Sequence, residues 1–354
     1  MRLYKCQNCG QVLHFENTLC VKCQATLGYL PEANVLSALD PAEQQGDFTA
    51  KAQPGTYRFC DNVVNGACNW LVPAEGPQRF CLACRHNRTI PDLSDPVNGE
   101  RWQKIEVAKR RAFYSFIRLG LPLANREEDP QGLAFDFLAD APEVGTQVMT
   151  GHDEGLITLA LIEADDAERV KRRSAMGEPY RTLLGHFRHE SGHYFWDRLV
   201  RDGGRLEDCR AVFGDDSQDY EAALQHHYDQ GPPADWQEHF VSAYATAHPW
   251  EDFAETWAHY LHIVDTLEMA RSLGMEIAPR ADQTGDLSTE VAFDPYRSTD
   301  IEALMDAWVP LTVAVNSLNR SMGIPDLYPF VLSPAVVAKL GFIQSLTHGG
   351  VPRA

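Results

Sequence analysis

The sequence predicts an α+β protein, a mostly helical domain with a small sheet, preceded by a cysteine-rich, ribbon-like segment. Three observations carry this. Eight of the nine cysteines fall before residue 85, three strand-like runs lie between residues 133 and 162, and the long helical patterns begin only after residue 100. With 354 residues the chain has material for two or three units with real cores. The regions 1–90 and 91–354 are expected to be separate domains, because 91–99 is loop-like (Pro91, Asp92, Ser94, Asp95, Pro96, Gly99) and precedes the first long helical pattern.

Charge follows the same partition. The net charge is -19, from 31 basic and 50 acidic residues. Eight basic and seven acidic residues fall up to position 90, so the front is neutral and the body carries the excess. A strongly anionic body repels nucleic acid and anionic lipid, and neither is an expected partner. No apolar run approaches the roughly 18 residues of a membrane span, and Met1 to Gly10 carries two cysteines and polar residues where a secretory signal would be apolar. A cytoplasmic protein is expected, and in a reducing cytosol clustered thiols are more often metal ligands than disulfides.

The front contains two cysteine quartets. Cys6 and Cys9 form a C-x-x-C, and Cys20 and Cys23 form another after ten intervening residues, with Gly10 permitting a tight turn. Paired knuckles of this kind supply four thiolates to a tetrahedral zinc. In the second quartet, Cys60 and Cys68 have seven residues between them, and only Cys81 and Cys84 keep the C-x-x-C spacing. Buried thiols or disulfides are the alternative for both sets. Two structural zinc ions are expected, holding together a segment too poor in apolar area to fold unaided and offering a surface for a protein partner. Asp40 to Gly55, rich in Pro, Gly, Gln and Ala, reads as a connection, and Cys209 stands apart.

Beyond the boundary, Arg101 to Leu121 has a helical pattern (Ile105, Ala108, Ala112, Phe113, Phe116) ending at Gly120 and Pro122, with Lys109, Arg110 and Arg111 as a solvated or salt-bridged face. Strand-like runs follow at Leu133–Leu138, Thr146–Thr150 and Leu156–Ile162, with a turn at Gly151 to Gly155. Asp166 to Met176 and Tyr180 to Val200 then read as helices.

The second of these contains His189, Glu190, Ser191, Gly192 and His193, an H-E-x-x-H. Residues four apart lie on one helical face about 6 Å along the axis, so both imidazoles can bind one ion while Glu190, offset by about 100°, reaches a water held there. A later helix starts at Pro249 and places Glu251, Glu255 and His259 on one face. Zinc in a hydrolase needs three protein ligands and one open position, and a carboxylate beside two histidines completes that set. A carboxylate one turn on can hydrogen-bond a ligating imidazole from behind, fixing its tautomer. Glu251 and Glu255 fit those two roles: Glu251 lies in the first turn, and Asp252 is rotated about 100° away. Tyr244 is preferred over His248 as the donor to an oxyanion, because His248 precedes Pro249 and can serve the helix entry. His152, His186, His259 and His262 read as supporting or surface groups.

The cysteine knuckles, the stretch Ala67 to Trp70, the helix with Ala108 to Arg111, His186 to His193, and Ser242 to His262 together resemble a family of bacterial zinc-binding metallopeptidases: an amino-terminal zinc ribbon joined to a zincin-like, gluzincin-type catalytic domain. The resemblance implies a catalytic zinc on His189, His193 and Glu251, with Glu190 as general base and a peptide or protein as substrate. In gluzincins an edge strand beside the active helix binds extended substrate, and Leu156–Ile162 is the candidate for it. The chain has E-x-x-x-E where well-known gluzincins have E-x-x-x-D. Two other classes fit the same residues: an adaptor with a non-catalytic metallopeptidase-like body, and a zinc amidase acting on non-peptide amides.

Overall fold

A computed structural model describes residues 1–140, 148, 150–169 and 182–349. By contact the chain divides into two units, Met1–Arg169 and Val170–Ala354. The first long helix and the small sheet thus group with the cysteine-rich front.

In the first unit, short strands β1 (Tyr4–Lys5) and β2 (Val12–Leu13) pair around the Cys6–Cys9 knuckle. An antiparallel meander follows: β3 (Thr26–Leu30), β4 (Val35–Pro41), β5 (Asp47–Ala50), β6 (Thr56–Phe59) and β7 (Leu71–Pro73). Asp40 to Gly55 is therefore not a connection. Pro41 and Gly46 flank the turn, while Leu39 pairs with Ala50 and Phe48 and Ala50 pack on the cluster of Leu30, Leu39, Tyr57 and Leu71. Polar composition hid one apolar face of a strand.

Strand β8 (Asn87–Thr89) leads into helix α1 (Pro96–Leu119). Asp95 caps α1 by accepting from the Val97 N–H, Pro96 occupies the first turn, and Gly120 ends it at φ 67°. Its apolar face, Trp102, Ile105, Ala112, Phe113 and Phe116, is buried as the pattern requires. The basic run is not solvated, however. Lys109 pairs with Glu106 at 2.7 Å, both fully buried, and Arg110 is buried against the Ala67 carbonyl; only Arg111 lies towards the surface, on Glu16.

Strands β9 (Ala134–Leu138), β10 (Gly151–Asp153) and β11 (Leu156–Ala160) join β8 in the order β10-β11-β9-β8. Glu154 and Gly155 both have positive φ, 43° and 85°, the backbone of a two-residue hairpin turn, so the turn expected at Gly151 to Gly155 narrows to these two residues and Gly151–Asp153 is strand. Of the strand expected at Thr146–Thr150, residues 146, 147 and 149 lie outside the described residues. Because β11 is paired on both sides, it cannot serve as the edge that accepts an extended peptide. Of the helix expected from Asp166 to Met176, Asp166 to Arg169 are helical and the rest lies outside the described residues.

The second unit is mainly helical, with one short antiparallel pair, Glu276–Ile277 against Thr289–Glu290. Helix α2 (Leu183–Phe195) is capped by Thr182, whose hydroxyl accepts from the Gly185 N–H at 2.9 Å, and its continuation Trp196–Arg201 widens into a π-helical turn. Tyr180, where the pattern had placed the start, lies outside the described residues. Helices α3 (Leu206–Phe213), α4 (Tyr220–Gln230), α5 (Pro249–Leu273), α6 (Ile301–Ser321) and α7 (Pro334–His348) follow. Helix α5 is buried nearly all round and packs on α2, α3, α6 and α7. Among the described residues no helix is long and apolar enough to cross a membrane.

Candidate active site

Helix-to-helix approach builds the site. A Cβ on Gly192 would sit 2.8 Å from the Ala254 Cα, so the glycine inside the H-E-x-x-H is what lets α2 lie against α5. This contact brings Glu251 to the two histidines. Glu251 Oε2 lies 3.0 Å from His189 Nε2 and 3.5 Å from His193 Nε2. A tetrahedral ion with bonds of about 2.0–2.1 Å requires donor separations of about 3.3 Å. Glu251 is 1% exposed and its Oε2 accepts no hydrogen bond. A buried carboxylate oxygen whose near polar neighbours are two imidazole nitrogens, at the spacing a shared ion requires, fits a cation.

The surroundings fix each donor. His189 Nδ1 donates to Glu255 Oε1 at 2.7 Å, which turns Nε2 towards Glu251, and the Ser242 hydroxyl donates to Glu255 Oε2 at 2.6 Å. Burial works against a charged His189, but the carboxylates of Glu251 and Glu255 outweigh it and raise its pKa well above the usual value. Burial likewise opposes ionisation of Glu251, and the imidazoles of His193 and His189 outweigh that and hold it well below the carboxylate range. The indole of Trp250 covers His193 with ring centroids 3.9 Å apart.

Each expected residue can now be placed. Glu190 is half-buried, and its charge contributes to raising the pKa of both Tyr220 and Tyr244, after burial and the charge of Glu251. The Tyr244 ring lies 5.9 Å from that of His189. His248 serves the helix entry, its Nδ1 accepting from the Trp250 N–H. Asp252 points away, paired with Lys339 at 2.6 Å, and burial raises its pKa to about 7. His259 and His262 are buried rather than superficial: His259 Nδ1 bonds the Tyr328 hydroxyl and His262 accepts from Arg188. His152 takes the Gly155 N–H in the β10–β11 turn, and Cys209 is buried, its thiol pushed up to about 12. Sequence reasoning missed Tyr220, whose hydroxyl donates to Glu251 Oε1 at 2.6 Å, and the role of Ser242. Tyr220 lies 31 residues from Glu251 with no pattern linking them.

The cysteines also gather. Cys6, Cys9, Cys20 and Cys23 form one cluster, and Cys60, Cys68, Cys81 and Cys84 a second. The Cys6–Cys23, Cys9–Cys20 and Cys68–Cys81 sulfurs are 3.7, 3.6 and 3.7 Å apart. A disulfide needs about 2.05 Å, whereas four thiolates at about 2.3 Å from zinc stand about 3.8 Å apart. None of the nine cysteines is in a disulfide. Backbone N–H groups of Cys23 and Lys22 lower Cys20 to about 6 against the effect of burial. The second cluster is fully buried beside Arg110, whose pKa is raised by the charges of Cys68, Glu106, Cys84 and Cys81 against the effect of burial.

Two four-thiol clusters ahead of a helix-borne pair of histidines and a buried glutamate define a zinc-ribbon protein with a metallopeptidase-type centre. Residues 98–346 match the family described as "Putative zinc-binding metallo-peptidase", and residues 3–95 match a zinc-ribbon domain. The chain belongs to that metallopeptidase family. It is 42% identical over 355 residues to uncharacterized proteins of Mycobacterium tuberculosis and Mycobacterium bovis, covering 99% of this chain and 97% of each relative. No solved structure matches it.

Proposed function

We propose that the protein is a zinc-dependent peptidase in which His189, His193 and Glu251 hold the catalytic ion and Glu190 is the general base. The observation that carries this is the buried Glu251 Oε2 facing both imidazoles, a three-donor set that leaves a fourth position open. A zinc ion there supplies a Lewis acid that polarises the scissile carbonyl and makes a water acidic enough to attack near neutral pH. Glu190 takes the proton from the attacking water and passes it to the leaving amine. Glu255, braced by Ser242, holds His189 in the tautomer that presents Nε2. Tyr244, beside His189, donates to the oxyanion; burial, first, and then the charge of Glu251 raise its pKa, which keeps the phenol protonated as a donor must be. Its substrate is a peptide or protein. The two thiol clusters each hold a structural zinc, giving three ions per chain, and the ribbons offer a docking surface for a protein partner.

The test is Glu190→Gln. An amide cannot take the proton, so peptide hydrolysis should fall about 10²- to 10⁴-fold while zinc content stays at the wild-type level. Undiminished turnover in the variant would remove Glu190 from the mechanism. An adaptor would show no wild-type hydrolysis of any peptide, and a non-peptide amidase would cleave small amides alone.

A further inference from the structure

We infer that Tyr220 is a positioning residue that confines Glu251 to ligation through one oxygen. This rests on the metal centre proposed above and concerns a residue with no motif of its own. A carboxylate can offer a metal one oxygen or two. In this protein the two oxygens of Glu251 are treated differently: Oε1 accepts the Tyr220 hydroxyl at 2.6 Å, and Oε2 faces His189 and His193 with no hydrogen bond. A hydrogen bond from a phenol to a buried carboxylate oxygen is of the strong, charge-assisted kind, and it holds Oε1 turned towards the tyrosine. With Oε1 engaged, the centre has three donor atoms and keeps its fourth position for water. With Oε1 released, the second oxygen can enter the coordination shell and compete for that position.

The phenol is itself held in place. Its ring packs edge-on against His248, centroids 5.3 Å apart, and against Trp250, 5.7 Å apart. His248 Nε2 donates to the Gln218 carbonyl at 3.3 Å while its Nδ1 caps α5, tying the chain just before α4 to the first turn that carries Glu251. Helix α4 buries none of its residues, so Tyr220 at its first position is not there to fill a core. Its hydroxyl meets the one ligand that comes from α5.

The experiment uses the full-length protein with cobalt(II) as probe. The chelator-labile zinc is removed, cobalt(II) is added, and the visible ligand-field bands are recorded for wild type and for Tyr220→Phe, which keeps the ring and removes only the hydroxyl. We expect the intense bands of a four-coordinate ion in the wild type and weaker bands, from a higher coordination number, in the variant. Wild-type bands of a five- or six-coordinate ion would overturn the inference without any variant. So would superimposable spectra of the two proteins, even if the variant hydrolyses peptides more slowly, since that loss would then have another structural cause. If wild-type protein takes up neither zinc nor cobalt(II) beyond its thiol clusters, the metal centre itself fails and the inference with it; normal wild-type uptake with an unaltered variant spectrum defeats the role of Tyr220 alone.

Discussion

The two units solve opposite problems with similar chemistry. In the first, each candidate zinc site has four thiols, and nothing is left for a water or a substrate. In the second, three donors come from two helices, Glu255 and Tyr220 hydrogen-bond two of them, His189 and Glu251, and Tyr244 lies beside His189. The two thiol clusters also differ from each other. The first has two half-exposed cysteines and lowers a thiol by backbone N–H groups, whereas the second is wholly buried. Four thiolates around a divalent ion leave two net negative charges. A buried site must neutralise them, and the buried Arg110 is placed to do so. Donor number separates the closed thiol clusters from the open three-donor centre, and burial decides which thiol cluster needs a counter-charge.

Differential chelation sharpens this contrast most. The open three-donor site should release its zinc to a chelator first, giving a plateau with two ions retained per chain, before the thiol sites give up theirs and the first unit unfolds. Elemental analysis across the titration checks it; simultaneous loss of all three ions would erase the distinction.

A smaller effect is expected from Gly192→Ala. The added methyl would meet the Ala254 backbone at 2.8 Å, so α2 and α5 must part. Overpacking of this kind costs about 1–3 kcal/mol, and here it also widens the gap between His193 and Glu251. Thermal unfolding should show the second unit destabilised, and zinc retention at the histidine centre should fall with it. A variant as stable and as zinc-replete as wild type would mean that the close helix contact is dispensable.

The smallest effect is on pH dependence in the first unit. His86 is 2% exposed, bonds the Leu133 carbonyl at 2.8 Å and packs on Phe113; burial, first, pushes its pKa down from 6.5 to about 3. Between those values the unfolded chain binds a proton that the folded chain does not. The stability His86 contributes is therefore complete above about pH 6.5 and is lost as pH falls towards 3. His86→Gln should cost about 1 kcal/mol at pH 7 through the altered hydrogen bond, and should flatten the decline in the urea midpoint between pH 6.5 and 4.5. An equally steep decline in the variant would assign the acid sensitivity elsewhere.

What could be read from the sequence was what repeats at fixed spacing. The C-x-x-C pairs, the H-E-x-x-H and the E-x-x-x-E set each put donors on one turn or one helical face, and the structure gathers each set as the spacing requires. The helix entry at Pro249 and the end of α1 at Gly120 followed from caps. The rest depended on pairing between distant segments. Phe48 and Ala50 belong to a strand only because Leu39 and Tyr57 lie across from them. Strand β11 loses its edge because Gly151 to Asp153 folds back beside it. Lys109 and Arg110 turn inward because Glu106 and the Ala67 carbonyl await them. Tyr220 reaches Glu251 through a tertiary contact that no local period encodes.

The assignment of the three-donor centre is tested most directly by the zinc content of Glu251→Ala measured beside Glu255→Ala. Removing a ligand should empty the centre, leaving two ions per chain. Removing the carboxylate behind His189 should weaken the centre by about 10- to 100-fold yet leave it filled at excess zinc, giving close to three ions. Three ions in Glu251→Ala together with two in Glu255→Ala would contradict the account and exchange the roles of the two glutamates.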